Sequence, residues 1–456
     1  MTYFKRALKW IGISLAAIAI ILSVILMLLP VFVSIAPYFL KPKVDAEIAA
    51  IKAKGQPVSA AELAGPKIPD AENAAFVYEK AFKIVYGPSA RADFRAISEI
   101  LRTDPLRKSP EYYRKSQELV TKYGSAIALA EQAISMSKCR FPVKWEDGID
   151  AKFLHLGSLR NLSSLICTNA ELNAREGRMN EAIQSIELAC KLNESLKDEP
   201  YLVSQIVRYS IISRASMSLR HAARYGGISE TEAKHLYYVL QHIDLSQSMA
   251  LGLIGDRAMS MSFLNEMREN PRAFTDTPNV NSANPIAKMR NRQTGTSGFW
   301  QSLMYANELY YLRTMSKLID LAPSPYRENK TKYAKYTDEA NFPRYAFMAA
   351  ISLPVLGTEM KDKAIAHVTG SQVFLALLAY KDRFGSYPVT LGELKSKLGW
   401  KLPDDPFSGK DFIFKQQGNG FLLYSIGEDL KDNGGIEPKS YEERKKKCDI
   451  VWQMVR

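Results

Sequence analysis

Five histidines, four cysteines and a few clustered carboxylates are the residues of this 456-residue chain that could do chemistry. The histidines, His155, His221, His235, His242 and His367, are scattered over predicted helices. Zinc proteases place two histidines four apart around a glutamate so that both face one metal. Here His235 and His242 stand seven apart with no metal-type partner between them, so all five read as packing or surface residues. Cys139, Cys167, Cys190 and Cys448 are far apart, and no pair has the close spacing of a zinc knuckle. Cys167 and Cys190 fall on two helices expected to pack as a hairpin. They are either a disulfide, if the compartment is oxidising, or buried thiols. Asp404 and Asp405 precede Pro406, where turn initiation accounts for them. No nucleophile elbow, phosphate loop or dinucleotide fingerprint stands in a strand-turn-helix context. No catalytic function can therefore be read from the residues. The remaining cluster is an acidic, glycine-rich stretch, Glu428 to Gly435. By itself, Asp432-Asn433-Gly434-Gly435 is turn chemistry.

The elements around these residues are mostly helices. Asp70 is placed to cap a helix over Ala71 to Val85, whose apolar residues Ala75, Val77, Ala81 and Ile84 recur at helical spacing. From Ser109 to about Asn270 the pattern is helical nearly throughout, with Ser229 and Glu232 forming a capping box. Met259, Met261 and Met267 share that spacing and read as core. Within this stretch, Ala170, Gly177, Ala182 and Ala189 put a small residue in each of two helices and a glycine in the turn. The pattern resembles one tetratricopeptide-like hairpin. The early aromatic and the terminal proline of that family are absent, and no second copy follows. Either a repeat array or an ordinary hairpin of an all-α domain fits. Residues 276–298 are rich in Asn, Thr, Pro and Ser and read as a linker. A helix is expected over Phe299 to Leu321, then a polar, tyrosine-rich loop from Ser324 to Asn341.

The last segment is a module of its own, residues 343–456. A largely buried helix runs toward Phe384, interrupted near Pro354 and Gly357, with Gly385 as its C-terminal cap. Tyr387-Pro388 makes an extended turn, and Thr390 with Glu393 caps a short helix. Phe412 to Phe414 and Phe421 to Tyr424 read as strands joined at Gly418-Asn419-Gly420. This order, with Asp405, Pro406 and Gly409 before the hairpin and Tyr424, Ser425, Gly427 and Asp429 after it, resembles the globular part of the type II secretion major pseudopilins. That resemblance implies an extracytoplasmic interaction module whose acidic loop binds calcium. Carried over, Asp429 and Asp449 would supply carboxylates, helped by loop carbonyls, with Asp432 and Asn433 as further ligands. Calcium takes six to eight oxygens. Two departures stand against a pilus subunit: there is no prepilin signature at the N-terminus, and Glu442 to Lys447 is inserted before Asp449 with four adjacent cations.

From Ile11 to Leu40 no residue is charged, and Lys5, Arg6 and Lys9 precede the run. About twenty apolar residues span a bilayer, and flanking cations stay on the cytoplasmic side. A cleavable signal has an apolar core of only about 7–15 residues. Pro37 also follows the best small-residue site. The expectation is a cytoplasmic tail over residues 1–10, an uncleaved transmembrane anchor over 11–40 that Pro30 and Pro37 kink or end, a helical domain over 41–275, and a helix and loop over 299–342 after the linker. The expected fold is mainly α with a small C-terminal α+β module. The net charge of +13 is dispersed and lacks an aromatic-interleaved stripe, which argues against nucleic acid. The function expected is binding or scaffolding at a bacterial inner membrane, with protein partners on the periplasmic side and a secretion or envelope-assembly system as the setting. The alternatives are an envelope hydrolase whose site forms between distant helices, and a tetratricopeptide-like peptide groove.

Overall fold

Residues 23, 35–103, 109–269, 298–340, 357–436 and 449–454 are described by the computed structural model. They are mainly helical, with one small antiparallel sheet near the C-terminus. The chain divides into two compact units, each gathered from separated stretches. The expected anchor, residues 11–40, lies outside the described residues apart from Ser23 and 35–40. Among the described residues no helix is long and apolar enough to cross a membrane.

The first unit draws on Met1–Glu62, Arg257–Lys317 and Asp338–Leu353. Its helices are α1 (35–53), the end of α10 (Ser248–Glu269) and most of α11 (Gly298–Leu321). Val44 and Ile51 of α1, Met259, Met261 and Met267 of α10, and Met304, Leu312 and Met315 of α11 are buried. The methionines are core, as their spacing implied. Polar bonds join the same elements: Arg313 Nε donates to Glu47 Oε1 (2.8 Å), Arg257 Nη2 to Gln56 Oε1 (2.7 Å), and Arg268 pairs with Glu308. Pro37 lies inside α1 and does not end it.

The second unit draws on Leu63–Asp256, Leu318–Thr337 and Pro354–Arg456. It begins with a 3-10 turn, Asp70–Glu72, and α2 (Ala75–Val85). Asp70 opens that turn instead of capping α2, whose cap residue, Ala74, has no side-chain bond. Asn73 takes over the anchoring, accepting from Arg140 N (2.9 Å) and donating to Arg140 O (2.8 Å). Next come α3 (Pro88–Thr103), α4 (Pro110–Tyr123) and α5 (Ser125–Ile134). Then α6 (Leu154–Arg175) and α7 (Met179–Leu192) form the expected hairpin. Ala170, Ala182 and Ala189 are fully buried, which lets the two helices approach. The turn residue Gly177 has φ +80°, a conformation that a side chain would strain. Cys167 and Cys190 are buried thiols and not a disulfide.

Helices α8 (Leu202–Ala222) and α9 (Glu230–Gln241) complete the helical layer. The Ser229–Glu232 capping box forms as read. Residues 326–340, expected as a loop, are a helix, α12 (Tyr326–Ala340). Its composition is polar but rich in helix formers, and Asn329 and Tyr333 are buried on one side. The long helix α13 (Thr358–Phe384) packs against both α8 and α9. At its start, buried Lys361 donates to the carbonyls of Ala322, Pro323 and Ser324 (2.7, 3.0 and 3.1 Å), capping the end of α11. At its far end Asp382 accepts from Glu230 N (2.8 Å) and Arg383 pairs with Glu230. Gly385 caps it in the left-handed region, as predicted.

The short helix α14 (Leu391–Leu398) follows, with Thr390 accepting from Glu393 N (3.1 Å). The sheet order is β1 (Ile413–Gln417), β2 (Gly420–Ser425), β3 (Ile450–Met454), all antiparallel. Gln417 faces Gly420 across the two-residue turn that the Gly-Asn-Gly motif announced. The third strand was missed. It is short and lies just past a run of four cations that reads as surface. Trp452 of β3 is fully buried against α13, and a Cβ at Gly370 would overlap its indole.

Candidate functional site

The acidic loop follows the central strand β2, and Gly435 bonds to Asp449, the residue just before β3. Its first residues are set by a turn below it. Asp405, 1% exposed, accepts from Phe407 N (3.1 Å) and Ser408 N (3.2 Å) and from the Ser425 hydroxyl (2.6 Å). Ser425 Oγ in turn accepts from Gly427 N (3.2 Å). Gly409 and Gly427 have φ +68° and +67°, where glycine alone is unstrained. The motif residues Asp405, Gly409, Ser425 and Gly427 thus build one continuous support for the loop.

Three of the four expected metal ligands are brought together. Asn433 donates through its side chain to Asp429 Oδ2 (3.0 Å) and through its backbone to Asp449 Oδ2 (3.1 Å). Asp449 also accepts from Gly435 N (2.8 Å), and Asp429 Oδ1 from Lys431 N (3.0 Å). Asp432 turns aside and accepts from the Tyr424 hydroxyl (2.9 Å) and Gly434 N (2.8 Å). Those donors hold the Asp432 carboxyl below its ordinary range, the Gly434 N–H first. Burial pushes Asp449 the other way, and the N–H groups of Gly435 and Asn433 offset part of it. Leu430 sits at φ +63° between the acids, a strained place for a branched side chain.

The cation at this loop belongs to the chain. Lys330 of α12 donates from Nζ to the carbonyl oxygens of Asp429 (3.0 Å) and Glu428 (3.4 Å). Lys363 of α13 pairs with Glu428. A calcium ion needs a shell of six to eight free oxygens. Here N–H or O–H donors already bond the carboxylates, and an ammonium holds the carbonyls. Among the described residues no three His, Cys, Asp or Glu side chains gather as a metal set. As arranged, Asp429, Asn433 and Asp449 meet through hydrogen bonds within the chain, Asp432 faces Tyr424, and a calcium shell that used the Asp429 and Glu428 carbonyls would have to displace Lys330. Lys330 was invisible to sequence reasoning, since it lies ninety-nine positions before Asp429.

The histidines are engaged as structural groups. His155 Nε2 meets Glu199 Oε1 at 2.9 Å while its ring stacks on Phe141. His367 Nδ1 lies 3.3 Å from Ser216 Oγ and its ring edge meets Trp452. Burial, then the charges of Arg220 and Lys363, push His367 down to about 3. His235 meets Glu187 at 2.8 Å, and His242 Nδ1 meets the Tyr238 carbonyl at 2.7 Å. No protein-family model, curated protein or solved structure matches the chain.

Proposed function

We propose that this chain is a membrane-anchored binding and scaffold protein with its bulk outside the cytoplasm, working in a bacterial secretion or envelope-assembly system. One observation carries the reading. The side chains best suited to chemistry join one element to another: Glu199 and His155, Asp405 and Ser425, Asp449 and Gly435, His367 and Ser216. Such a network rigidifies a surface and leaves its recognition to shape and charge. The C-terminal sheet is one such surface, backed by α13 and the helices beneath it.

The anchor is supported by α1. Tyr38 and Phe39 are 80% and 67% exposed at the end of the uncharged run, and Lys41 and Lys43 follow. An aromatic pair and flanking lysines at the end of an apolar segment suit a membrane-water boundary. The order of helix, Asp405 turn, hairpin and Tyr424-to-Asp429 segment supports the pseudopilin-like reading of the end.

Reporter fusions test the arrangement. Enzyme reporters that need export, joined at Gly65 and at Gly435, should both be active. Activity of both only as cytoplasmic reporters would end the proposal.

A further inference from the structure

A second charged cluster in the molecule has the opposite sign. Within the second unit, α3, α6 and α8 line a half-open pocket of about 290 Å³. Arg91 comes from the first turn of α3, Arg160 from α6 and Arg214 from α8. The other polar groups of the wall include Ser98, Asn161 and Ser164. Among the described residues no carboxylate lines it and none of the three guanidinium groups is ion-paired. Arg214 Nη1 donates to Ser164 Oγ (3.3 Å), Ser98 Oγ to the Phe94 carbonyl (2.9 Å) and Asn161 Nδ2 to the Val85 carbonyl (3.1 Å).

Three like charges lining one half-open pocket repel one another, and water screens that repulsion where Arg91 and Arg160 reach solvent. Elsewhere in this chain several arginines that join elements have acids: Arg268 with Glu308, Arg313 with Glu47, Arg383 with Glu230. Others, such as Arg257 and Arg140, reach an amide or backbone carbonyls, whereas Arg91 and Arg160 show no side-chain bond to another described residue. Guanidinium forks match the paired oxygens of a phosphate, and each fork can give two parallel hydrogen bonds. The volume is at the lower end for small-molecule pockets, about 300–1,000 Å³, and exceeds what a bare ion would fill. The polar wall suits hydroxyl groups. Arg91 and Arg160 are exposed, so the cavity can be reached from solvent.

We infer that the cavity between α3, α6 and α8 binds a phosphate monoester carried on a small hydroxylated body, with Arg91, Arg160 and Arg214 holding the dianion. The inference does not depend on the envelope setting. A free phosphate ester and the headgroup of a phosphatidate lipid present the same dianion, so the test has two arms. The full chain is placed in nanodiscs of neutral lipid and melted against increasing glycerol 3-phosphate. Sodium chloride at matched ionic strength and glycerol serve as controls. In the second arm the discs contain phosphatidic acid and no soluble ester is added. The expected result is a saturable rise in Tm with glycerol 3-phosphate that neither control gives. In the Arg91→Gln/Arg160→Gln double variant, at least tenfold more ester should be needed for the same rise. A rise only with phosphatidic acid, lost in the double variant, would support the same site with a lipid source. No rise in either arm would overturn the inference, as would an undiminished rise in the double variant. Melting of both proteins without ligand shows that the variant is folded.

Discussion

In the C-terminal loop, Asn433 joins Asp429 and Asp449 while Asp432 turns to Tyr424, and donors of the same chain meet each carboxylate. In the cavity of the second unit, Arg91, Arg160 and Arg214 lie close together, and the wall offers them hydroxyls and an amide but no acid. The two regions share a feature, clustered charge, that is often read as a ligand site. They differ in what satisfies it. The loop's oxygens are tied to N–H groups of Lys431, Asn433, Gly434 and Gly435, and its carbonyls to Lys330. That cluster holds a turn in place. The arginines have one bond among them, from Arg214 to Ser164, and meet no acid in the wall, which makes that cluster the better candidate for binding an anion.

Removing charge should therefore have opposite consequences in the two regions. The largest loss is expected at the base of the loop. Asp405→Ala leaves the N–H groups of Phe407 and Ser408 and the Ser425 hydroxyl without their acceptor. At about 1–3 kcal/mol for each buried group left unsatisfied, the loss of stability should be about 3 kcal/mol or more. Denaturant unfolding measures it, and a loss under about 1 kcal/mol would mean that the turn does not support the sheet. Asp449→Ala strips the acceptor from Gly435 and Asn433 and should cost about 2 kcal/mol by the same reasoning.

Acid should separate the regions as well. His367 is buried beside Trp452 with its pKa lowered from 6.5 to about 3, so the unfolded chain binds the extra proton between those values. Its contribution to stability is present above pH 6.5 and is lost as pH falls toward 3. Asp256 acts in the opposite sense. Burial raises it from 3.8 to about 7, so its contribution is present below 3.8 and is lost as pH rises to about 7. His367→Gln should flatten the acid-side decline, and Asp256→Asn should remove the opposing slope. Stability curves of the two variants between pH 4 and 7 that tilt the same way relative to the parent would refute this assignment. The arginines stay charged across the whole range. The smallest effect is expected in the cavity: Arg160→Gln should change stability by no more than about 0.5 kcal/mol. Any gain should be greatest at low salt, where repulsion is least screened.

What could be read beforehand followed from local chemistry. The seam of Ala170, Ala182 and Ala189, the Gly-Asn-Gly turn at 418–420 and the Ser229 cap each act between near neighbours, and each is found. Helix α12 was hidden because its composition is so polar, with Asn329 and Tyr333 marking its buried side among the described residues. Strand β3 was hidden by the cations before it. The four loop residues were named from a resemblance, and three of them do meet. What Lys330 does to them depends on a contact across ninety-nine positions. Likewise, no motif links Arg91, Arg160 and Arg214, which share a wall only because α3, α6 and α8 pack around it.

The most direct test of the contrast is one melting experiment on the full chain with four conditions: calcium, chelator, glycerol 3-phosphate and sodium chloride at matched ionic strength. A ligand that binds only the folded form stabilises it by about 2.7 kcal/mol at a hundredfold excess over Kd. The account predicts equal Tm in calcium and chelator, and a Tm raised by the ester over the salt. A Tm raised by calcium, with the ester no better than salt, would contradict it: the loop would then be the open site and the arginine cavity the closed one.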